Sequence, residues 1–310
     1  MSDEQAGTVE AAGPETIILT PHGHSVLPEF NLGWRTEDTE PLPFLNFVSA
    51  DATVNWSDQL EELHEESSRT HFMDRWTRSA IIERIGAVPV TATIGDIGCS
   101  TGYLLEDLRV AHPAATLVGV DLIAAGLAKA HRAVPAARLL LADACDLPIA
   151  EGRLDAVVSA NLLEHVPDDV QGLREFHRVL RPGGRAVIVV PAGPSTYDYY
   201  DRFLGHERRY ARRELAGKCS SVGLEVLEDG YIASLLYPAF WLVKQRNRRR
   251  YGALTGAALE QRVAADIART TDSGAGELTW HLERALARIG VRLPFGIRSV
   301  VVARRPLAGA

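Results

Sequence analysis

Two stretches of this sequence hold residues whose types and spacing suit ligand chemistry. Behind an apolar run that begins at Ala92 stands Asp96-Ile97-Gly98-Cys99-Ser100-Thr101-Gly102, and a second run, Leu117-Val118-Gly119-Val120, leads into Asp121, nineteen positions after Gly102. Gly98 and Gly102 let the backbone turn tightly and let a ligand approach with no Cβ in the way. A carboxylate ending the next strand can accept both hydroxyls of a ribose in charge-assisted bonds. Strand, glycine turn, helix, strand, carboxylate is the order in which an open parallel sheet grips an adenosine. Asp143 and Asn161 close the next two apolar runs, so four polar residues stand at the strand ends that line the ligand crevice of such a sheet. Each alone reads equally well as the cap of a following helix; four at matching positions read as a site.

These residues need a sheet to position them. Apolar runs at 92–97, 115–120, 138–142, 154–160 and 185–190 alternate with helical segments or turns, which predicts five parallel strands with right-handed crossovers. Pro182-Gly183-Gly184 predicts a turn after a helix ending near Leu180. Residues 224–231 and 299–303 predict two further strands, with mostly helical sequence between them. The expected fold is α/β, a doubly wound, seven-stranded, mostly parallel, Rossmann-like sheet with a helical insertion and an N-terminal arm. The expected division is a tail and irregular arm over 1–56, a core over 57–231, a helical insertion over 232–297, and the last strand and tail over 298–310. Leu60, Leu63, Phe72, Trp76, Ile81 and Ile82 are spaced as on one or two helices lying across the sheet, and the arm is expected to close over the ligand.

With 310 residues, 46% of them hydrophobic, the chain can bury a substantial core. A net charge of −7 makes nucleic acid a poor partner. Cys99, Cys145 and Cys219 match no zinc spacing, and no metal is expected. The N-terminus does not read as a secretory signal, and the longest apolar stretch, 232–243, falls short of the ~20 residues of a spanning helix, so a cytoplasmic location is expected with no transmembrane segment. That stretch is followed by Lys244, Arg246, Arg248, Arg249 and Arg250. It reads either as a helix packed on the sheet with a cationic C-terminus favoured by its dipole, or as a peripheral contact with an anionic membrane or a lipid-linked acceptor.

Two other chemistries compete for the glycine loop. A dinucleotide site wants G-x-G-x-x-G, but Ser100 takes the middle position and Tyr103, after Gly102, is bulky for close strand-to-helix packing. Gly98-Cys99-Ser100-Thr101-Gly102 also fits G-x-S-x-G, the nucleophile elbow of serine hydrolases, with His22-Gly23 as a crude oxyanion loop. An elbow follows several strands, however, whereas 57–90 reads as helical.

The ordered series Asp96 to Gly102, Val120-Asp121, Ala142-Asp143-Ala144 with Leu147-Pro148, Asn161-Leu162-Leu163-Glu164-His165-Val166 and Leu180-Arg181-Pro182-Gly183-Gly184 resembles the class I S-adenosylmethionine-dependent methyltransferases. The resemblance covers residues 60–195, with Ser100 replacing the second glycine of the usual loop. It implies S-adenosyl-L-methionine as cofactor. The loop of Gly98, Ser100 and Gly102 would hold its methionine part, with Asp96 near the ammonium. Asp121 and its neighbour Leu122 would meet the ribose, Asp143 and Ala144 the adenine, and Leu147 or Leu162 would pack on the base. Asn161 completes the row of strand-end groups.

Methyl transfer from a sulfonium expels a neutral leaving group, so alignment supplies much of the acceleration. A hydroxyl acceptor also needs a base, whereas an amine or carbanion needs only positioning. His165 and His206 are the candidate bases. Arg208, Arg209 and Tyr210 form a candidate clamp for an anionic acceptor, and Tyr199, among Tyr197 and Tyr200, a candidate pocket wall. Gly205-His206-Glu207-Arg208-Arg209-Tyr210 also resembles a bacterial subgroup associated with glycan, lipid or secondary-metabolite pathways. The expected activity is methyl transfer to a small molecule, with oxygen favoured. The alternatives are a scaffold that binds the cofactor without methyl transfer, and the serine hydrolase with its elbow at Ser100.

Overall fold

A computed structural model describes residues 17–21, 27–35, 41–48, 69, 71–269 and 274–307. In the arm, β1 (Glu29–Phe30) and β2 (Trp34–Arg35) form a small antiparallel ribbon, and β3 (Leu45–Asn46) joins the main sheet. Helix α1 (Phe72–Ile85) leads into β4 (Thr93–Ile97), α2 (Tyr103–Ala111), β5 (Thr116–Asp121), α3 (Ala124–Ala133), β6 (Arg138–Leu141) and β7 (Leu154–Ala160). Next come α4 (Asp169–Val179), β8 (Leu180–Pro191), α5 (Tyr199–Phe203), α6 (Glu214–Ser221) and β9 (Glu225–Ile232). Three helices, α7 (Tyr237–Tyr251), α8 (Gly256–Arg269) and α9 (Gly274–Arg288), precede β10 (Arg298–Arg304).

The sheet order is β3-β6-β5-β4-β7-β8-β10-β9. Strands β3 to β8 run parallel, and β10 lies antiparallel between β8 and β9. The central runs are strands because both their faces are covered. On one face Ile97, Val120 and Val157 pack with Leu173, Phe176 and Val179 of α4. On the other Ile94, Leu117 and Val158 pack with Trp76 and Ile81 of α1 and Leu105 of α2. Helix α4 follows its sequence closely: Asp168 caps it by accepting from the Gln171 N–H, and Gly172, Leu173, Phe176 and Val179 face inward at helical spacing.

Three expectations change. The sheet has eight strands, because β3 pairs with β6. Pro182-Gly183-Gly184 is not a turn ahead of the fifth strand but a bulge within it: Leu154 pairs with Leu180 and Ala156 with Arg185, so 181–184 loop out, with Gly183 at a φ of 82°. The described part of the arm fastens to the sheet's edge instead of covering the ligand crevice. Trp34, fully buried, donates its indole N–H to the Leu139 carbonyl at 3.1 Å, and Leu19 N–H bonds Pro148 O at 2.9 Å. The helix expected over 57–68 and the His22-Gly23 pair lie outside the described residues.

Candidate active site

The carboxyl ends of β4, β5, β6 and β7 open onto a cleft of about 1060 Å³, closed on its far side by α5 and α7. The glycine loop forms its floor. Gly98 and Cys99 both donate to the Val120 carbonyl, at 2.8 and 3.1 Å, which draws the loop over the end of β5. Gly98, Ser100 and Gly102 have φ of 85°, 44° and 88°. A Cβ on Gly102 would sit 2.8 Å from Ala130 Cβ, so this glycine sets the packing of α2 on α3 and does not itself line the cleft.

Asp121 stands at the tip of β5. Its carboxylate accepts from Ser100 N–H at 2.8 Å and Ile123 N–H at 2.9 Å, which fixes it against the loop while it faces the cleft. Leu122, Asp143, Ala144 and Asn161 line the same end. Asp143 is exposed and Asn161 holds a left-handed φ of 53°. Asp96 differs: it is buried beneath the loop, off the cleft wall, and its Oδ2 has no hydrogen-bond partner among the described residues. Burial, then the neighbouring Asp121 charge, pushes its pKa to about 8.

At the other end, His165 and His206 meet edge to face with ring centroids 4.6 Å apart, and Glu164 lies beside them. Glu164 and the two histidines each bring one ligand-capable atom within 4.8 Å of the others. Glu164 is fully buried with neither carboxylate oxygen bonded among the described residues, and burial pushes its pKa to about 7 against the opposing pull of His206. This corner is rich in acceptors and suits the reception of a proton.

A buried ion network holds His206. Its Nδ1 lies 2.9 Å from Asp201 Oδ1, which also takes Arg209 Nε at 2.6 Å, and Lys244 pairs with Asp198 at 2.7 Å. Burial alone would raise the Asp201 pKa, but the His206 hydrogen bond and the Arg209 and Lys244 charges hold it far below the usual carboxylate range. The Asp198 side chain and backbone cap α5 together with Asp201, so the two carboxylates that start this five-residue helix are the ones that hold the network.

The expected acceptor clamp falls apart. Tyr210 is buried away from the cleft; its hydroxyl bonds Asp169 at 2.7 Å and the Leu163 carbonyl at 3.2 Å. Arg208 pairs with the same Asp169 at 3.1 Å. Arg209 reaches the cleft wall but is committed to Asp201. Tyr199 also lines the cleft, while its hydroxyl bonds Asp266 on α8. Sequence reasoning missed Asp201 and Lys244 and gave Glu164 no part in the chemistry. The Glu164-His165 dipeptide was a usable signal, whereas the ion network joins residues too far apart in sequence to be seen there.

A family model described as a methyltransferase domain matches residues 95–188. The demethylmenaquinone methyltransferase of Beutenbergia cavernae is 31% identical over 216 residues, 66% of this chain and 86% of that enzyme. The chain belongs to the class I S-adenosylmethionine-dependent methyltransferases. This methyltransferase therefore uses S-adenosylmethionine, and the dinucleotide and serine-elbow readings of its glycine loop are set aside. A 37.1 kDa protein of transposon TN4556 from Streptomyces fradiae is 34% identical over 140 residues, 44% of this chain but only 40% of that protein. Phosphoethanolamine N-methyltransferase 2 of Haemonchus contortus, solved with S-adenosylmethionine, shares the fold of the methyltransferase at a TM-score of 0.54 and 15% identity, covering 81% of this chain and 57% of that one. Among the described residues, no helix is long and apolar enough to cross a membrane.

Proposed function

We propose that this methyltransferase methylates a hydroxyl oxygen of a small, largely apolar acceptor, with His206 receiving the hydroxyl proton. The observation that carries this reading is the Asp201–His206 pair. A carboxylate 2.9 Å from Nδ1 holds the ring proton on that nitrogen, leaving Nε2 as the lone-pair nitrogen. His165 and Glu164 crowd the same corner and confine the acceptor hydroxyl to it. Phe72, Leu204, Phe240 and Val243 give the cleft apolar walls, which suit an aromatic or isoprenoid acceptor better than a sugar.

The opposite end fits the cofactor. Asp121 suits the ribose hydroxyls, with Leu122 beside it; Asp143 and Ala144 suit the adenine; and the loop from Gly98 through Ser100 to Gly102, with Asn161, suits the methionine part. The orphaned oxygen of Asp96 suits a cation. When bound, S-adenosylmethionine supplies a methyl group on a sulfonium whose departing thioether is neutral. The chain has only to align the acceptor and take its proton.

A second reading has one support, the relative named demethylmenaquinone methyltransferase. A hydroxylated quinone precursor that lost its proton to His206 would become nucleophilic at ring carbon as well as oxygen. Turnover on a panel of phenols, quinols and sugars, with the methylated atom identified in the product, separates these readings. Cofactor binding without turnover on any of them would leave the scaffold alternative.

A further inference from the structure

Helix α7 forms part of the cleft wall through Phe240, Val243, Lys244 and Asn247. Buried Lys244 anchors it there, bonded to Asp198. Tyr237, Phe240, Gln245, Asn247 and Tyr251 are half-buried on the same side, and the other side of the helix is uncovered. Trp241, Leu242 and Val243 expose 39%, 63% and 55% of their surface, and Pro238 and Ala239 before them are exposed too. Arg246, Arg248, Arg249 and Arg250 follow, all exposed. Helical geometry puts Leu242, Arg246 and Arg249 on one stripe, opposite Lys244.

Exposed consecutive apolar residues cost solvation and mark a contact surface. The charges beside them say what it contacts. Of the four arginines, Arg248 bonds the Ser195 carbonyl at 2.7 Å and Arg250 lies 5.5 Å from the Tyr251 ring, and none forms an ion pair among the described residues. In a chain of net charge −7, four uncompensated guanidinium groups within one and a half turns are a local anion-binding surface. An indole and aliphatic side chains next to arginines are what a helix presents when it lies in the boundary between lipid headgroups and acyl chains. With fifteen residues, α7 is too short to span a bilayer and can only lie on one.

We propose that α7 docks this methyltransferase on an anionic lipid bilayer. Leu242 and Trp241 enter the headgroup boundary while Arg246 and Arg249 meet lipid phosphates. Because Val243 and Phe240 belong to both the exposed helix and the cleft wall, docking sets the cleft mouth against the membrane, where an apolar acceptor can enter without crossing water. Delivery rests on the acceptor reading above; docking does not.

The test is co-sedimentation of the full chain with vesicles of phosphatidylcholine alone and of equal parts phosphatidylcholine and phosphatidylglycerol. The chain should bind only the anionic vesicles and leave them as salt rises. Each arginine near such a surface contributes on the order of fivefold in affinity, so the double variant Arg246→Glu, Arg249→Glu should bind at least about thirtyfold more weakly. Leu242→Glu should also release the protein. Both variants should keep the parent's affinity for S-adenosylmethionine by calorimetry, which shows that they fold. Absence of binding to anionic vesicles, or binding indifferent to these substitutions, overturns the proposal. So does a concentration-dependent dimer abolished by Leu242→Glu, which would make a second copy the occupant. A parent protein that binds vesicles but methylates no apolar acceptor would sink the acceptor reading and leave docking standing.

Discussion

His206 Nδ1 lies 2.9 Å from Asp201 Oδ1, and the Asp201 side chain is fully buried. A buried carboxylate would be expelled or protonated without compensation; here the His206 N–H and two buried cations supply it. The same arrangement fixes the imidazole's orientation. Replacing Asp201 strands the buried Arg209, leaves Lys244 only Asp198, and should destabilise the fold by about 3–5 kcal/mol, so the informative variant is His206→Asn. An asparagine amide can still donate to Asp201 but offers nothing in the Nε2 position. Turnover should fall by about 10²–10⁴, with the melting temperature and cofactor affinity near those of the parent. Turnover within a factor of two of the parent would return His206 to a purely structural role.

Asp96 gives a prediction with a definite sign. In the unfolded chain its carboxyl loses a proton near the ordinary value of 3.8, whereas in the fold burial and Asp121 delay this to about 8. Burial of this group is therefore harmless below the lower value, destabilises the fold increasingly between the two, and costs most above the upper one. Asp96→Asn has no proton to lose. Its stability advantage over the parent should grow by at most about 1.4 kcal/mol per pH unit across that window, measured by denaturant titration from about pH 5 to pH 8. The variant should nonetheless bind S-adenosylmethionine more weakly, since a cation favours the ionised carboxylate. An advantage that stayed flat with pH would mean that Asp96 is already ionised beneath the loop across this range.

Asp121 is bound from below by two backbone amides, so its loss disturbs the loop as well as any contact to a ribose. Asp121→Ala should weaken cofactor binding by about 1–3 kcal/mol, the cost of a charged hydrogen bond and its unpaired partners. Calorimetry reads this directly. Unchanged affinity would remove Asp121 from the site.

The distribution of what could be read from sequence has a physical basis. Strands β4 to β7 and the later part of β8 were legible because burial on both faces makes each a mostly apolar run, and the polar residues at or just past their ends, Asp96, Asp121, Asp143 and Asn161, followed at once. Strand β3 was not: two residues of the arm pair with β6 only because Trp34 and Ile18 are held against the sheet edge by tertiary contacts. The segment from His206 to Tyr210 was recognised as a unit but misread in part. Which side chains turn to the cleft depends on the path of an irregular loop. That path presents His206 and Arg209 to the cleft and sends Arg208 and Tyr210 to Asp169.

Tyr210 tests that sorting. Burial and the Asp169 carboxylate raise its pKa, so the phenol stays a donor, tying the loop to the start of α4 together with Lys218, 2.6 Å from the same oxygen. Removing the hydroxyl leaves Asp169 with Arg208 and Lys218 but takes away a buried bond. Tyr210→Phe should therefore lower unfolding free energy by about 1–3 kcal/mol, with KM for the acceptor and kcat close to the parent's at a temperature where both proteins are folded. A KM raised tenfold at unchanged stability would put the phenol back in contact with the acceptor.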